Sequence, residues 1–252
     1  MRDNLNITGH AGCDETQDDS LMSIEAAIAF GADIAEVDVR FNKKGTLVLA
    51  HDEEPDKEYS GHPSLEKAFD IVAGNSRIAI NCDIKESETI PAILELAAKK
   101  GINRERLVLT GSVSPITLKE NPDIQKNALV WINIEEVLGY FFRTGNEAVK
   151  PFQDLMTNAT EEDLYTKILA PNAVSIMEAI TVACLSLGVK VLNMPCLGAI
   201  TALIPGMKEK GIGASVWTVN DEESIRHLFS LGAFSVTTRN TRLAVKVRKG
   251  LI

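Results

Sequence analysis

Leu21-Met22-Ser23-Ile24-Glu25-Ala26-Ala27-Ile28-Ala29-Phe30-Gly31-Ala32-Asp33-Ile34-Ala35-Glu36-Val37-Asp38-Val39 is the stretch whose reading decides the fold. Its first ten residues place apolar side chains on a 3.6-residue period. Ser20 stands where an N-cap is needed and Gly31 where a helix stops, so the spacing predicts a helix over Leu21 to Phe30. Ile34 to Val39 is a short β-branched run bearing two acids, and it predicts a strand. A helix that turns directly into an apolar strand is half of a parallel βαβ unit.

The same alternation extends in both directions. Strands are predicted at Leu5 to Gly9, Ile34 to Val39, Arg77 to Ile84, Arg106 to Leu109, Ala128 to Ile132, Val189 to Asn193, Ala214 to Val219 and Phe234 to Thr237. Further helices are predicted at Ser64 to Val72, Thr89 to Lys99, Thr201 to Lys210 and Asp221 to Leu231, the last capped by Asn220 or Asp221. Eight strand-helix repeats in 252 residues predict an α/β chain folded as a single (β/α)8 TIM barrel domain over residues 1–252. A doubly wound open sheet shares this alternation and is the competing architecture. Two places break the even spacing. Asn42-Lys43-Lys44-Gly45 reads as a turn within a short hairpin spanning 41–51, and residues 133–188 are too many for one connecting helix and are assigned two or three.

Composition narrows the function. With 45% hydrophobic and 24% charged residues the chain can bury a large core. Its 26 Lys and Arg against 35 Asp and Glu give a net charge of -9, which disfavours nucleic acid as a partner. The four cysteines, Cys13, Cys82, Cys184 and Cys196, form no CxxC pair, and reduced thiols are expected. No P-loop or GxGxxG cradle is present. No run of about eighteen apolar residues stands out, so stable membrane insertion is not expected. MRDNLNITGH carries no signal-peptide pattern, which makes a cytoplasmic location the default, although a signal peptide trimmed away would leave the same text.

The chemistry-bearing residues fall at the C-terminal ends of the predicted strands, where barrel enzymes keep their sites. His10 follows the first strand, Glu36 and Asp38 end the second, His51-Asp52 follows the hairpin, and Asp83 and Lys85 end the third. Residues two apart on a strand share a face, so Glu36 with Asp38, and Asp83 with Lys85, can converge on one point. Clustered carboxylates suit a hard divalent cation, and two imidazoles beside them could move protons.

These residues resemble the glycerophosphodiester phosphodiesterase family, whose barrel site is marked by H-R-G, E-N-T, G-A-D, E-x-D, H-D and E-x-K. The chain has His10-Ala11-Gly12, Asp18-Asp19-Ser20, Gly31-Ala32-Asp33, Glu36-Val37-Asp38, His51-Asp52 and Asp83-Ile84-Lys85 in that order. Phe41 to Gly45 is similar to the family's L-T-K-D-G, Pro63-Ser64-Leu65-Glu66 to its P-T-L-E, and Val216 to Asn220 to its W-T-V-N. The resemblance implies a phosphodiester substrate, with His10 and His51 as general acid and base. It further implies that Glu36, Asp38 and Asp83 hold Mg²⁺ or Ca²⁺ and that Lys85 contacts phosphate. Asp18 either contacts the site or caps the following helix, and Trp217 either meets the substrate or fills the mouth. The alternative for Lys85 is a partner of Asp83 alone.

The departures bear on substrate more than on chemistry. Ala11 stands where the family has an arginine, removing a bidentate phosphate donor. The insertion after H-D shrinks to residues 53–63, and I-T-D-x-P becomes Val236-Thr237-Thr238-Arg239-Asn240. Arg40, on the face of Asp38, could supply positive charge or form a surface ion pair. Two other readings stay open: a lyase-like relative that makes a cyclic phosphate, and a barrel that binds a cation and diester without turnover.

Overall fold

The structure, a computed structural model, describes residues 5–158, 160 and 163–251. Among the described residues nine strands form one sheet: β1 (Asn6–Gly9), β2 (Ile34–Phe41), β3 (Leu47–Leu49), β4 (Ala79–Ile84), β5 (Leu107–Gly111), β6 (Leu129–Asn133), β7 (Val191–Pro195), β8 (Gly213–Trp217) and β9 (Ser235–Thr238). Their order is β1-β9-β8-β7-β6-β5-β4-β2-β3, and β1 also pairs with β2 in parallel at Thr8↔Ile34 and Gly9↔Ala35. That last pairing closes the sheet into an eight-stranded parallel barrel and excludes the open doubly wound arrangement. All eight predicted barrel strands are present, with ends displaced by a few residues.

β3 is the extra strand. It runs antiparallel to β2, with Val39↔Leu49 and Phe41↔Leu47 in register. The Asn42 side chain makes the turn by accepting from the backbone N–H groups of Lys44 and Thr46, and Gly45 takes a positive φ of 74°.

The registers fix which side chains point into the barrel. Ile34, Glu36 and Asp38 of β2 lie beside Ala79, Asn81 and Asp83 of β4, and the same parity runs on through Val108 and Thr110, then Asn133, Asn193, Ser215, Ser235 and Thr8. At the N-terminal end this inner face is apolar, a small cluster of Ile34, Ala79, Val108, Trp131 and Val191. Above it the face turns polar. The opposite parity (Val37, Val39, Ile80, Cys82, Leu107, Leu109, Val216, Val236) belongs to the main core beneath the helices. Burial among the described residues thus comes from the inner cluster, the main core beneath the helices and a third small cluster of Val48, Ala50 and Tyr59 by β3, and the upper layer of the barrel interior stays polar.

The helices follow the sequence reading closely at the start. In α1 (Leu21–Phe30) the Ser20 hydroxyl accepts from the N–H of Ser23, and Gly31 closes the helix at φ 84°. α2 (Leu65–Ala73) is capped by Ser64, and α3 (Ile90–Lys99) follows β4. α4 (Pro115–Glu120) and α5 (Ile124–Asn127) are short, and α6 (Ile134–Thr144) follows β6. The single helix predicted over Thr201 to Lys210 is instead two, Gly198–Thr201 and Ile204–Glu209. Pro205 has no N–H to give the carbonyl four residues earlier, so the helix restarts there.

Between β6 and β7, α6 is followed by tight helical turns at Lys150–Asn158, wide turns at Leu164–Leu169 and a long helix at Ala173–Ser186. The expectation that no stretch is apolar enough to span a bilayer needs correcting, because Leu164–Ser186 meets that test by length and composition. Lys167 and Glu178 interrupt it and hid it from a search for an unbroken run. Within the fold its Leu169, Ile176, Met177, Ile180 and Cys184 are buried in the main core. All four cysteines are thiols, Cys196 alone exposed.

Candidate active site

The chemical side chains gather in the upper half of the barrel, Glu36 and Asp38 from within β2, Asp83 and Lys85 from the end of β4, His10 just after β1 and His51 from the hairpin that returns along β2. Glu36, Asp38 and Asp83 offer carboxylate oxygens that all lie within 4.8 Å of one another, the first two almost fully buried. Burial, and then the charges of Asp38 and Asp83, push the Glu36 carboxyl well above its usual range. Burial likewise raises Asp83, against the pull of Lys85. The Lys85 ammonium lies 2.7 Å from Asp38 Oδ1 and 2.6 Å from Asp83 Oδ2. Burial alone would lower Lys85, but Asp83 and Asp38 outweigh it and hold the ammonium protonated. Lys85 therefore partners both acids rather than Asp83 alone.

The donor set suits a cation. Three oxygen donors with no sulfur or nitrogen among them match Mg²⁺ or Ca²⁺ better than zinc. A positive group already rests against two of them. Glu36 is further anchored by the Ala11 N–H, which donates to Oε2 at 2.8 Å.

The two histidines flank this cluster. His10 Nδ1 is 2.8 Å from the Ala11 carbonyl and 3.9 Å from Glu36 Oε2. A carbonyl can only accept, so Nδ1 carries the hydrogen and Nε2 is left as the reactive nitrogen. His51 Nδ1 is 2.7 Å from Asp52 Oδ1, which orients its ring in the same sense, and this bond pulls the exposed Asp52 carboxyl downward. His51 is the more exposed imidazole. Arg40 holds its loop: Nε and Nη2 donate to the His51 carbonyl at 3.0 and 2.9 Å, while Nη1 pairs with Glu86. Arg40 thus takes the ion-pair role and steadies His51 without facing the acids.

Sequence reading chose Asp18 from the Asp-Asp-Ser triplet, but the structure gives the inner position to Asp19. Asp19 is buried, and its carboxylate accepts from the backbone N–H of Asp38 at 3.3 Å and of His51 at 2.9 Å. Burial and the Asp38 charge push it up to about 7. Its φ of 51° lies in the left-handed region, which Asp tolerates better than most residues. Asp18 is the more exposed of the two and takes a two-point ion pair from Arg239, with Nη1–Oδ1 2.7 Å and Nη2–Oδ2 3.1 Å. The hydrogen bonds from Arg239 lower its carboxyl.

Two cavities meet at the histidines. One, of about 620 Å³, holds Glu36, Asp38, Asp83, Lys85 and Trp217. Its far wall comes from the segment 133–188 through Asn133, Glu136 and Leu164. The other, of about 610 Å³, holds Asp18, Asp19, Asp52, His62 and Arg239. His10, Asp38, His51 and Thr218 line both. His62, given no role in the sequence reading, enters from the short 53–63 loop, with Nδ1 2.6 Å from the Leu49 carbonyl.

Fold and site together define a (β/α)8 barrel whose C-terminal mouth gathers three carboxylates, a lysine and two imidazoles. Residues 10–71, which contain both histidines and the first two acids, match the family model described as the glycerophosphoryl diester phosphodiesterase family. Human lysophospholipase D GDPD1 is 24% identical over 92% of this chain and 82% of its own length. Among solved structures, a glycerophosphodiester phosphodiesterase from Thermotoga maritima superposes with a TM-score of 0.69 at 22% identity, covering 98% of this chain and all of that one. A phosphodiesterase from Oleispira antarctica, solved with its product sn-glycerol-3-phosphate, gives 0.66 at 15% identity over 97% and 96% of the two chains. The resemblance read from the motifs is thus borne out, and these structural likenesses establish the fold.

Proposed function

We propose that this chain is a cation-dependent phosphodiesterase that hydrolyses glycerophosphodiesters or related head-group diesters to an alcohol and a phosphomonoester, with one barrel domain over residues 1–252 carrying the activity. The observation that supports this most is the convergence of two imidazoles and three carboxylates on one rim, within the segment that matches the family model and in β4 beside it. His10 and His51 each bind a ring hydrogen at Nδ1 and present Nε2 for proton transfer. One takes a proton from the attacking water as its oxygen bonds to phosphorus, and the other protonates the alkoxide as the second P–O bond breaks. Glu36, Asp38 and Asp83 would hold Mg²⁺ or Ca²⁺, which when bound offsets charge on the phosphoryl oxygens. Lys85 and Trp217 stand in the same cavity to meet the phosphate and the rest of the substrate.

The test is hydrolysis of glycerophosphocholine or glycerophosphoethanolamine with each cation. His10→Ala and His51→Ala should each lower kcat/KM by ~10²- to 10⁴-fold, and EDTA should abolish turnover. Activity that persists through both substitutions and EDTA contradicts the assignment. Product formed in ¹⁸O-labelled water separates hydrolysis from cyclisation, since the hydrolytic route alone places a solvent oxygen in the phosphomonoester.

A further inference from the structure

The motif that supplies His10 lacks its arginine, because Ala11 stands in that place. Positive charge is correspondingly scarce at the mouth. Lys85 is bound to two carboxylates, and in the second cavity Arg239 is the only lysine or arginine among the described lining residues, against Asp18, Asp19, Asp38, Asp52 and Glu54.

Arg239 is also well placed. β1 and β9 pair in parallel through Thr8↔Thr237 and Gly9↔Thr238, and the ladder continues as the His10 N–H donates to the Thr238 carbonyl at 2.9 Å. One further step sets Arg239 beside His10, on the inward parity of Ser235 and Thr237. Its backbone is fixed from two sides. The N–H donates to Asn220 Oδ1 at 2.8 Å, and the carbonyl accepts from the Asp14 N–H at 2.7 Å. The guanidinium meanwhile rests on Asp18 through two parallel hydrogen bonds, in a half-exposed pair. The loop His10-Ala11-Gly12 lies directly against that pair: a Cβ on Gly12 would fall 1.8 Å from Asp18 Oδ1 and 3.1 Å from Arg239 Nη1.

We infer that Arg239, delivered from the end of β9, is the phosphate-binding arginine of this site in place of the one absent at residue 11, and that Asp18 holds its fork until a phosphate takes over the carboxylate's place. A carboxylate and a phosphate present two oxygens to a guanidinium in the same planar geometry, so the exchange keeps both hydrogen bonds. Half-exposed pairs contribute little, so Asp18 gives way at small cost. The inference rests on the phosphodiesterase reading, and it gives Asp18 a role through Arg239 rather than on the substrate.

The test is equilibrium binding of sn-glycerol 3-phosphate, beside steady-state hydrolysis of glycerophosphocholine, for the full chain and three variants. Arg239→Gln should weaken binding roughly ten- to a hundredfold and raise KM in step. Arg239→Lys should recover part of the loss, because an ammonium supplies the charge without the fork. Asp18→Asn frees the guanidinium and should tighten binding severalfold. A purely structural pair makes the opposite forecast, since Asp18→Asn and Arg239→Gln would then weaken binding and lower the melting temperature alike. Wild-type turnover with an unchanged KM in Arg239→Gln overturns the inference and leaves the phosphodiesterase reading intact. Loss of anion binding in Arg239→Gln, with no hydrolysis by the wild type, overturns that reading instead. Should Arg239→Gln misfold, weaker binding in Asp18→Asn is by itself sufficient to reject the exchange.

Discussion

Asp19 accepts one N–H from the strand that carries Asp38 and one from the loop that carries His51, so a single carboxylate sets the spacing of an acid and an imidazole. Its carboxyl titrates near 7 when folded, against 3.8 as the ordinary value. An acid that holds its proton more tightly when folded favours the folded state most below pH 3.8 and loses that advantage as pH rises through about 7. In EDTA the melting temperature should therefore fall between about pH 4 and pH 7, and Asp19→Asn should reduce the slope. Thermal melts across that range check this, and parallel curves for the two proteins would contradict it. Asp19 was hidden from the sequence because two aspartates stand side by side and only backbone direction decides which turns inward. Arg239 was hidden for a different reason. Its strand parity was readable, but its partnership with His10 depends on a register across nearly the whole chain. His10, Glu36, Asp38 and Asp83 were legible because they lie on or just after parallel strands that all run toward one rim, and His51 because the turn at 42–45 folds an antiparallel strand back beside Asp38.

At the level of elements, legibility follows how local the signal is. α1 was read with both ends correct because Ser20 and Gly31 act within a turn of the helix they bound. Ser20→Ala removes the acceptor for the Ser23 N–H and should cost about 1 kcal/mol, read as a lower midpoint in urea with an unchanged slope. The segment 133–188 was opaque because its wide and tight turns follow no single period. Its helix Ala173–Ser186 was equally obscure, since an apolar stretch buried on one side and a membrane span share a composition. What the segment does becomes visible only with the fold, where Asn133, Glu136 and Leu164 wall the acid cavity.

For the whole molecule the decisive event is closure between β1 and β2. Asp33, just before β2, accepts from the Ile7 N–H at 2.9 Å and pairs with Arg248, which also donates to the Leu5 carbonyl at 3.0 Å. Arg248 is 4% exposed and belongs to the terminal helix Thr241–Lys249. Arg248→Ala leaves the Asp33 charge half of a broken buried pair and should destabilise by ~3–5 kcal/mol, measurable by urea denaturation. A loss below about 1 kcal/mol would place the pair among the inconsequential surface bridges. Closure also completes the rim. β1 is made first, yet one of its flanks is filled only by β9, so a growing chain carries His10 and the acids long before they share a finished rim. On the phosphodiesterase reading, a chain cut short before β9 should be inert toward glycerophosphocholine, and the last strand to dock would act as the ignition.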